Sequence, residues 1–128
     1  MNGVSCDEAS NELYWFNSPN GDEDKSILWR GSMQEDDEPN QQLLDVYRPT
    51  SPTYMEEIVY YASNKTDLYA FVLDGGDNKL VANGFVDIVD LYSYNGNIFV
   101  VDKALGLYSI RLENGKYSEQ LILNATGI

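Results

Sequence analysis

The residues with the most evident chemistry are aspartates in two predicted turns. Asp22 and Asp24 stand in one acidic turn, and Asp74 and Asp77 stand in a second turn of similar composition. Ca²⁺ prefers clustered carboxylate and carbonyl oxygens, so these four residues are candidate calcium ligands. Their spacing is not that of an EF-hand loop. Polar hairpin tips that face water have the same composition, so turn chemistry alone also accounts for it.

A second acidic segment is the run Glu35, Asp36, Asp37 and Glu38. Such a run can steer and dock a basic partner electrostatically. A solvated loop without a partner has the same composition. The segment is therefore a candidate interaction site that rests on charge alone.

Carboxylates farther along the chain are candidate catalytic groups. Asp87, Asp90, Asp102 and Glu113 lie in or beside predicted strands, where a pair could act as acid and base or hold a divalent metal. No spacing pattern selects a pair among them. The sequence therefore supports an enzyme only as the alternative hypothesis.

Aromatic and asparagine residues supply two further candidates. Trp15 and Trp29 could form an aromatic platform for a ligand, although packing is a sufficient reason for tryptophan on a strand. The triplets that begin at Asn64 and Asn124 are N-glycosylation sequons, which would fit an extracellular protein. Asparagine is common in the chain, so such triplets also arise by chance.

Composition excludes several classes of function. The chain has 128 residues and a formal net charge of -13, which excludes a nucleic-acid binder because phosphate contacts need Lys and Arg. It has no His, which removes Ser-His-Asp triads and most zinc sites. Its one cysteine, Cys6, cannot form an intrachain disulfide. The apolar runs are too short to span a bilayer, so no membrane insertion is predicted.

The pattern of apolar runs and turn residues predicts an all-β chain of about ten strands. Short runs rich in Tyr, Val and Ile alternate with Gly, Asn and Asp throughout the second half. Asn95-Gly96 and Asn114-Gly115 are strong signals for two-residue hairpins. Residues 39–47 fit a short helix or an edge strand, and the strand is favoured. The Pro-rich segment 48–52 and the acidic segment 33–39 are predicted loop insertions.

An internal repeat is the most informative feature of the sequence. Three segments share a Leu-Tyr pair followed by a polar turn and a lysine; they begin at Glu12, Asp67 and Gly106. From Tyr69 to Tyr108 the spacing is about 40 residues, which with four strands per unit is typical of β-propeller blades. The predicted repeats are 12–45, 46–85 and 86–128, within a single domain over 1–128.

The last repeat, from Asp90 through Asn95-Gly96 and Gly106-Leu107 to Gly115-Lys116, resembles the propeller repeats of the NHL, LVIVD and two-component-regulator kinds. The resemblance implies antiparallel four-stranded blades, about two and a half of them. Because a closed propeller needs at least four blades, it implies a partial propeller, a ring completed by a second chain, or a small sandwich. The motif forms strands and turns and has no chemistry of its own.

The leading hypothesis is a non-enzymatic scaffold or protein-interaction module that forms part of a larger propeller or assembly. The alternative is a fragment of a propeller hydrolase or lactonase that uses carboxylates and a divalent metal. Two open strand edges are the predicted surfaces for a protein partner or a second copy. One is the C-terminal strand with Leu121, Ile122 and Leu123, and the other is the strand Asn11–Asn17. No cofactor is predicted apart from the candidate calcium.

Overall fold

The protein, described by a computed structural model over residues 4–32 and 40–124, consists of three four-stranded antiparallel sheets. Sheet 1 contains β1 (Val4–Asp7), β2 (Glu12–Asn17), β3 (Ser26–Ser32) and β4 (Gln41–Val46). Sheet 2 contains β5 (Pro49–Met55), β6 (Ile58–Ser63), β7 (Asp67–Val72) and β8 (Asn78–Ala82). Sheet 3 contains β9 (Ile88–Tyr94), β10 (Asn97–Asp102), β11 (Gly106–Glu113) and β12 (Lys116–Asn124). A 3-10 helix, Glu23–Lys25, precedes β3.

Each sheet is a simple meander, and the sheets meet at one end of that meander. The strand order follows the chain in all three sheets, and the contacts between sheets run mainly from β1 to β5 and from β5 to β9. The first strands are therefore the inner strands, and β4, β8 and β12 are the opposite edges. Sheets that radiate from adjacent inner strands are the architecture of a β-propeller. The chain is all-β, and its fold is that of a partial propeller.

The hairpins predicted from Asn-Gly pairs are present. Asn95 and Gly96 have φ of 51° and 83°, and Asn114 and Gly115 have φ of 50° and 78°. Positive φ at both central residues is what a twisted two-residue hairpin requires, and Asn and Gly tolerate it. These two turns fix the registers of β9 with β10 and of β11 with β12.

Two apolar clusters hold the sheets together. Between sheets 1 and 2 the cluster contains Tyr14, Phe16, Leu28, Val46, Val59, Tyr61 and Phe71. Between sheets 2 and 3 the buried members from the sheets are Tyr60, Ala62, Leu68, Ala70, Ile88, Leu91, Ile98, Val100 and Ile110. Alternate residues of β6 therefore face opposite neighbours, which explains why this strand is apolar at nearly every position. Full burial of a Val, Leu, Ile or Phe side chain in these clusters stabilises the fold by about 2 kcal/mol through its transfer from water.

Two strands were not predicted from the sequence. Pro49–Met55 is β5, so the prediction of a loop over 48–52 is wrong. Prolines are tolerated on an inner edge strand, and the pairing of β5 with β6 is irregular between Thr50 and Thr53. The polar strand β1 pairs with β2 in register from Val4 to Asp7, so the prediction that Asn11–Asn17 has an open edge is also wrong. The favoured strand in segment 39–47 is confirmed as β4.

The first copy of the sequence repeat was placed on the wrong strand. Glu12 begins the second strand of its sheet, whereas Asp67 and Gly106 begin the third strands of theirs. The shared Leu-Tyr pair fits any strand that has neighbours on both sides, so it does not encode the strand's position in a sheet. The structural counterparts of β2 are β6 and β10.

Candidate functional site

The buried carboxylate of Asp102 is the most highly hydrogen-bonded group among the candidate catalytic residues. Its Oδ2 accepts from the backbone N–H of Val86 at 2.8 Å and of Asp87 at 3.1 Å. Its Oδ1 accepts from Ala104 at 2.8 Å and Leu105 at 3.0 Å. Burial alone raises the pKa of this carboxyl, but the four N–H donors outweigh it and hold the pKa below its usual value. Asp102 therefore ties the segment between sheets 2 and 3 to the end of β10.

The carboxyl groups of the other candidate catalytic residues have local partners or none. Asp90 accepts from the hydroxyl of Tyr92 at 2.6 Å, a bond that raises the pKa of Tyr92. Asp87 lies 3.8 Å from the Lys65 ammonium, and its buried Oδ1 has no hydrogen-bond donor. Glu113 lies 3.8 Å from Arg111 at the tip of the β11–β12 hairpin. No pair of these carboxylates is hydrogen-bonded to each other in the described residues.

The four candidate calcium ligands lie in loops of two different sheets. Asp22 caps the 3-10 helix by accepting from the N–H of Asp24 at 3.0 Å, and Asp24 forms an ion pair with Arg48. Asp74 and Asp77 lie in the β7–β8 hairpin, where the Asp77 carbonyl accepts from Val72. Within residues 4–32 and 40–124, no three Cys or acidic side chains are grouped closely enough to hold a metal ion.

A depression of about 340 Å³ lies beside the first acidic turn. Its lining residues come from the connection between β2 and β3, from the start of β3 and from the end of β4. The charged residues among them are Asp24, Lys25 and Asp45. Asp24 is engaged by Arg48 at the rim. The depression is open and mixed in charge, and it does not select a ligand chemistry.

The two segments predicted to meet a protein partner have different outcomes. Glu35, Asp36, Asp37 and Glu38 lie outside the described residues. Leu121, Ile122 and Leu123 lie on β12, the edge strand of sheet 3, and are 42–49% exposed. That strand remains a candidate for pairing with another chain.

A more extensive apolar surface covers the outward side of sheet 3. Phe99 pairs across strands with Tyr92 and Ser109, and Val101 pairs with Asp90 and Leu107. Cross-strand partners lie on the same face, opposite to the Ile98 and Val100 face that packs on sheet 2. We call this surface the C-side face of sheet 3. Its apolar residues are Tyr92, Tyr94, Phe99, Val101, Leu107 and Leu123, and the same pairing places the polar residues Asp90, Asn97, Ser109, Arg111, Ser118 and Gln120 on it. Tyr92 and Tyr94 on it are 56% and 74% exposed.

The opposite end of the molecule has a matching surface on sheet 1. Trp15 pairs with Val4 on one side and Trp29 on the other, and Leu13 pairs with Cys6. The two indole rings stack with centroids 6.5 Å apart and planes 8° apart, and both are half-buried. The Trp29 Nε1–H is buried without a hydrogen-bond partner in the described structure. We call this surface the N-side face of sheet 1. Its larger apolar residues are Val4, Leu13, Trp15, Ile27 and Trp29, and the same pairing places Cys6, Asn17, Gly31, Gln42 and Asp45 on it.

Gly31 makes room for this tryptophan pair. A Cβ at Gly31 would lie 2.8 Å from Cη2 of Trp15 and 2.6 Å from Oδ1 of Asn40. The position on β7 that corresponds to Gly31, by its pairing with the strand before it, is Phe71. The sheet therefore accommodates two large indoles by omitting a side chain beside them.

Comparison with known proteins supports the fold and no narrower assignment. A chain in a crystal structure of a nidogen/laminin complex matches 93% of this chain with a TM-score of 0.72 and 16% identity; the matched part is 46% of that chain. A chain in a complex of S. cerevisiae Dbp5 with Nup159, Gle1, IP6 and ADP matches 94% with a TM-score of 0.65 and 11% identity, over 33% of its length. The present chain thus spans less than half of both. No family model matches the sequence. No curated protein matches it.

The described residues also bear on membrane association. Within residues 4–32 and 40–124, no helix is long and apolar enough to cross a membrane.

Proposed function

We propose that this chain is a non-enzymatic protein-interaction module whose two open sheet faces bind further propeller-like sheets. The observation that carries the proposal is the apolar character of the C-side face of sheet 3 and the N-side face of sheet 1. Sheets 1, 2 and 3 already use such faces to bind one another, as the two clusters between them demonstrate. Contiguous exposed apolar surface marks an interaction site.

The comparisons are compatible with this proposal. The solved structures that this fold resembles come from protein complexes, and the matched part is under half of each chain. We infer that the three sheets act together as one domain over residues 1–128, within a larger propeller or assembly. We also propose that the sheets are repeats similar to those of the NHL, LVIVD or two-component-regulator kinds, because Gly106-Leu107 and Gly115-Lys116 resemble the motif of those repeats.

A neutral apolar dye tests whether the faces are available. Nile red suits this chain because a net charge of -13 would repel an anionic dye. We expect the dilute, monomeric chain to bind the dye, and the variant Leu107→Glu to lose much of the emission. Leu80→Glu is the matched control, since Leu80 is 51% exposed but lies on the outer strand β8.

Light scattering on the same samples gives the mass, and near-ultraviolet circular dichroism checks that the variants fold. A monomer that binds no dye would contradict the proposal, and so would equal losses from the two leucine variants.

A further inference from the structure

We propose, on the basis of the function proposed above, that the occupant of both open faces is a second copy of this chain. The C-side face of sheet 3 in each copy packs on the N-side face of sheet 1 in the other. Two copies thereby close head to tail into a ring of six sheets around a two-fold axis.

The first argument is that sheet 3 repeats the residues with which sheet 2 binds its neighbour. Sheet 2 packs on sheet 3 through Tyr60, Ala62, Leu68 and Ala70. At the equivalent positions, one repeat later in the sequence, sheet 3 has Phe99, Val101, Leu107 and Ser109. Phe99 thus corresponds to Tyr60 and Val101 corresponds to Ala62. Leu107 corresponds to Leu68, and Ser109 corresponds to Ala70. Met55 and Ile58, which also pack against this cluster, correspond to Tyr94 and Asn97, so the outward face of sheet 3 repeats the register of the binding face and four of its contact positions.

In this contact the N-side face of sheet 1 receives the C-side face of sheet 3. Sheet 2 presents Tyr61 and Tyr69 toward sheet 1, stacked at 5.6 Å, with the ring edge of Phe16 against Tyr61. Trp15 and Trp29 occupy the corresponding cross-strand pair of sheet 1 and stack in the same way. The N-side face of sheet 1 therefore repeats the receiving side of the interface between sheets 1 and 2.

The inner strands supply a third, polar argument. Ser5 Oγ accepts from the N–H of Tyr54 at 2.9 Å, and Thr53 Oγ1 donates to Ser93 Oγ at 2.8 Å. Cross-strand pairing makes Ser5 and Thr53 equivalent, as it does Tyr54 and Ser93. The same pairing makes Tyr92 of sheet 3 equivalent to Ser5 and Thr53, and it makes Cys6 of sheet 1 equivalent to Tyr54 and Ser93. In the ring, Tyr92 of one copy therefore lies opposite Cys6 of the other.

The segments between sheets repeat with equal regularity. The N–H of Asn64 donates to Arg48 O and the N–H of Lys103 donates to Asp87 O, both at 2.9 Å and with the same separation along the chain. The segments that enter sheets 2 and 3 are therefore fastened to their own sheets in the same way. Each copy carries one face of each kind, so two copies satisfy both faces when the rotation between them closes the ring, whereas a rotation that does not close would produce an open filament.

Net charge opposes this association, which sets the conditions of the test. Two chains at -13 repel each other, but exposed charges are screened beyond about 8 Å at physiological ionic strength. The measurement is therefore made in about 0.15 M NaCl, where the apolar faces dominate.

A disulfide between the two copies tests the predicted contact. A disulfide needs Cα atoms roughly 4.4–6.8 Å apart, so a thiol introduced by Tyr92→Cys should bond to Cys6 of the other copy. Two thiols give up two protons and two electrons to an added oxidant such as diamide. Tyr92 is 56% exposed, so the substitution leaves the core intact. Leu80→Cys, on the outer strand β8, is the matched control.

We expect oxidised Tyr92→Cys to migrate at twice the 14.5 kDa of one chain, without a ladder of longer products, while Leu80→Cys stays monomeric. Light scattering should give the dimer mass for the unmodified chain and for Ile122→Lys, since Ile122 lies on the outer strand β12. Loss of the dimer in Ile122→Lys would instead assign the contact to paired β12 edges.

A monomer at high micromolar concentration, with equal cross-linking of both cysteine variants, would overturn the ring. If that monomer still binds Nile red at Leu107, the proposed function remains and the occupant is another sheet. If it binds none, both proposals fail.

Discussion

The carboxylate of Asp102 accepts a hydrogen bond from the backbone N–H of Val86 at 2.8 Å, across the segment that joins sheets 2 and 3. The corresponding link in sheet 2 is the hydroxyl of Ser63, which donates to the carbonyl of Tyr47, in the segment that joins sheets 1 and 2, at 2.6 Å. Both links have the same separation along the chain and fasten the end of a second strand to the segment that enters its own sheet. Polar side chains that resemble catalytic or surface groups in the sequence thus determine how one sheet follows the next.

Asp102→Asn should destabilise the protein without changing its fold. An amide cannot accept from all four backbone donors, and leaving buried N–H groups unpaired costs roughly 3 kcal/mol. The free energy of unfolding, measured in urea, gives the loss. Asp74→Asn in the exposed β7–β8 hairpin is the matched control and should change it by less than about 0.5 kcal/mol. Equal effects of the two variants would remove Asp102 from this structural role.

The same carboxylate predicts a loss of stability in acid. Because the pKa of Asp102 is lower in the folded protein than in the unfolded chain, its contribution is present above the unfolded value near 3.8. That contribution disappears as the pH falls through the lower folded pKa. The slope of unfolding free energy against pH below pH 4 should therefore be smaller in Asp102→Asn than in the unmodified chain. An unchanged slope would contradict the assignment.

Buried tyrosines predict a second loss of stability, in alkali. Burial raises the pKa of Tyr61 and of Tyr54 to about 12, and it raises the pKa of Tyr14 and Tyr60 further. Their contribution is complete below the unfolded value of 10 and is lost as the pH rises through the folded values.

Unfolding free energy should therefore fall steeply from pH 10 to pH 12, and Tyr61→Phe should reduce that slope. Tyr94→Phe, at a side chain that is 74% exposed, is the control. A slope that is the same in both variants would argue against ionisation of Tyr61 as a cause.

Gly106 is required for the pairing of β11 with β12. Its φ is +130°, and a Cβ would overlap the carbonyl oxygen of Leu123 and lie 2.8 Å from Cα of Asn124. Gly106→Ala should cost about 3 kcal/mol, from backbone strain and the clash together. Gly84→Ala separates the two causes, because Gly84 has φ +86° and open space around it. We expect thermal unfolding to show a clearly smaller shift for Gly84→Ala.

Calcium should have no specific effect at the acidic turns. Millimolar Ca²⁺ should raise the melting temperature no more than NaCl of equal ionic strength, since any cation relieves the repulsion of a chain at -13. A larger shift with Ca²⁺ that disappears in Asp22→Asn or Asp74→Asn would assign a site to that turn by ligand linkage.

The sequence predicted the elements whose signals are local. Hydrophobic runs between turn residues predicted an all-β chain, and the Asn-Gly pairs predicted their hairpins. β5 was missed because Pro49 and Pro52 usually break strands, and its place on an inner edge is a tertiary property. β1 was missed because Val4–Asp7 is short and polar.

The candidate site was predicted less well, for a related reason. Apolar residues on both faces of β10 are typical of a strand between two neighbours, yet within residues 4–32 and 40–124 only the Ile98 face packs on another sheet. The identity of Phe99 and Val101 as an uncovered face follows from strand order, which no local pattern contains. Likewise, Asp102 differs from the other aspartates through the four N–H groups around it, and two of these come from residues distant in the chain.

The most direct test of the account uses the two tryptophans, both on the N-side face of sheet 1, as reporters of a change in sheet 3. Leu107 lies in sheet 3 and both tryptophans lie in sheet 1, with sheet 2 between them. The substitution Leu107→Glu therefore should not change the exposure of the tryptophans within one copy. We predict that acrylamide quenches both tryptophans weakly in the unmodified chain at high micromolar concentration and much more strongly in Leu107→Glu. Equal quenching in the two proteins at every concentration would contradict the claim that these faces cover each other.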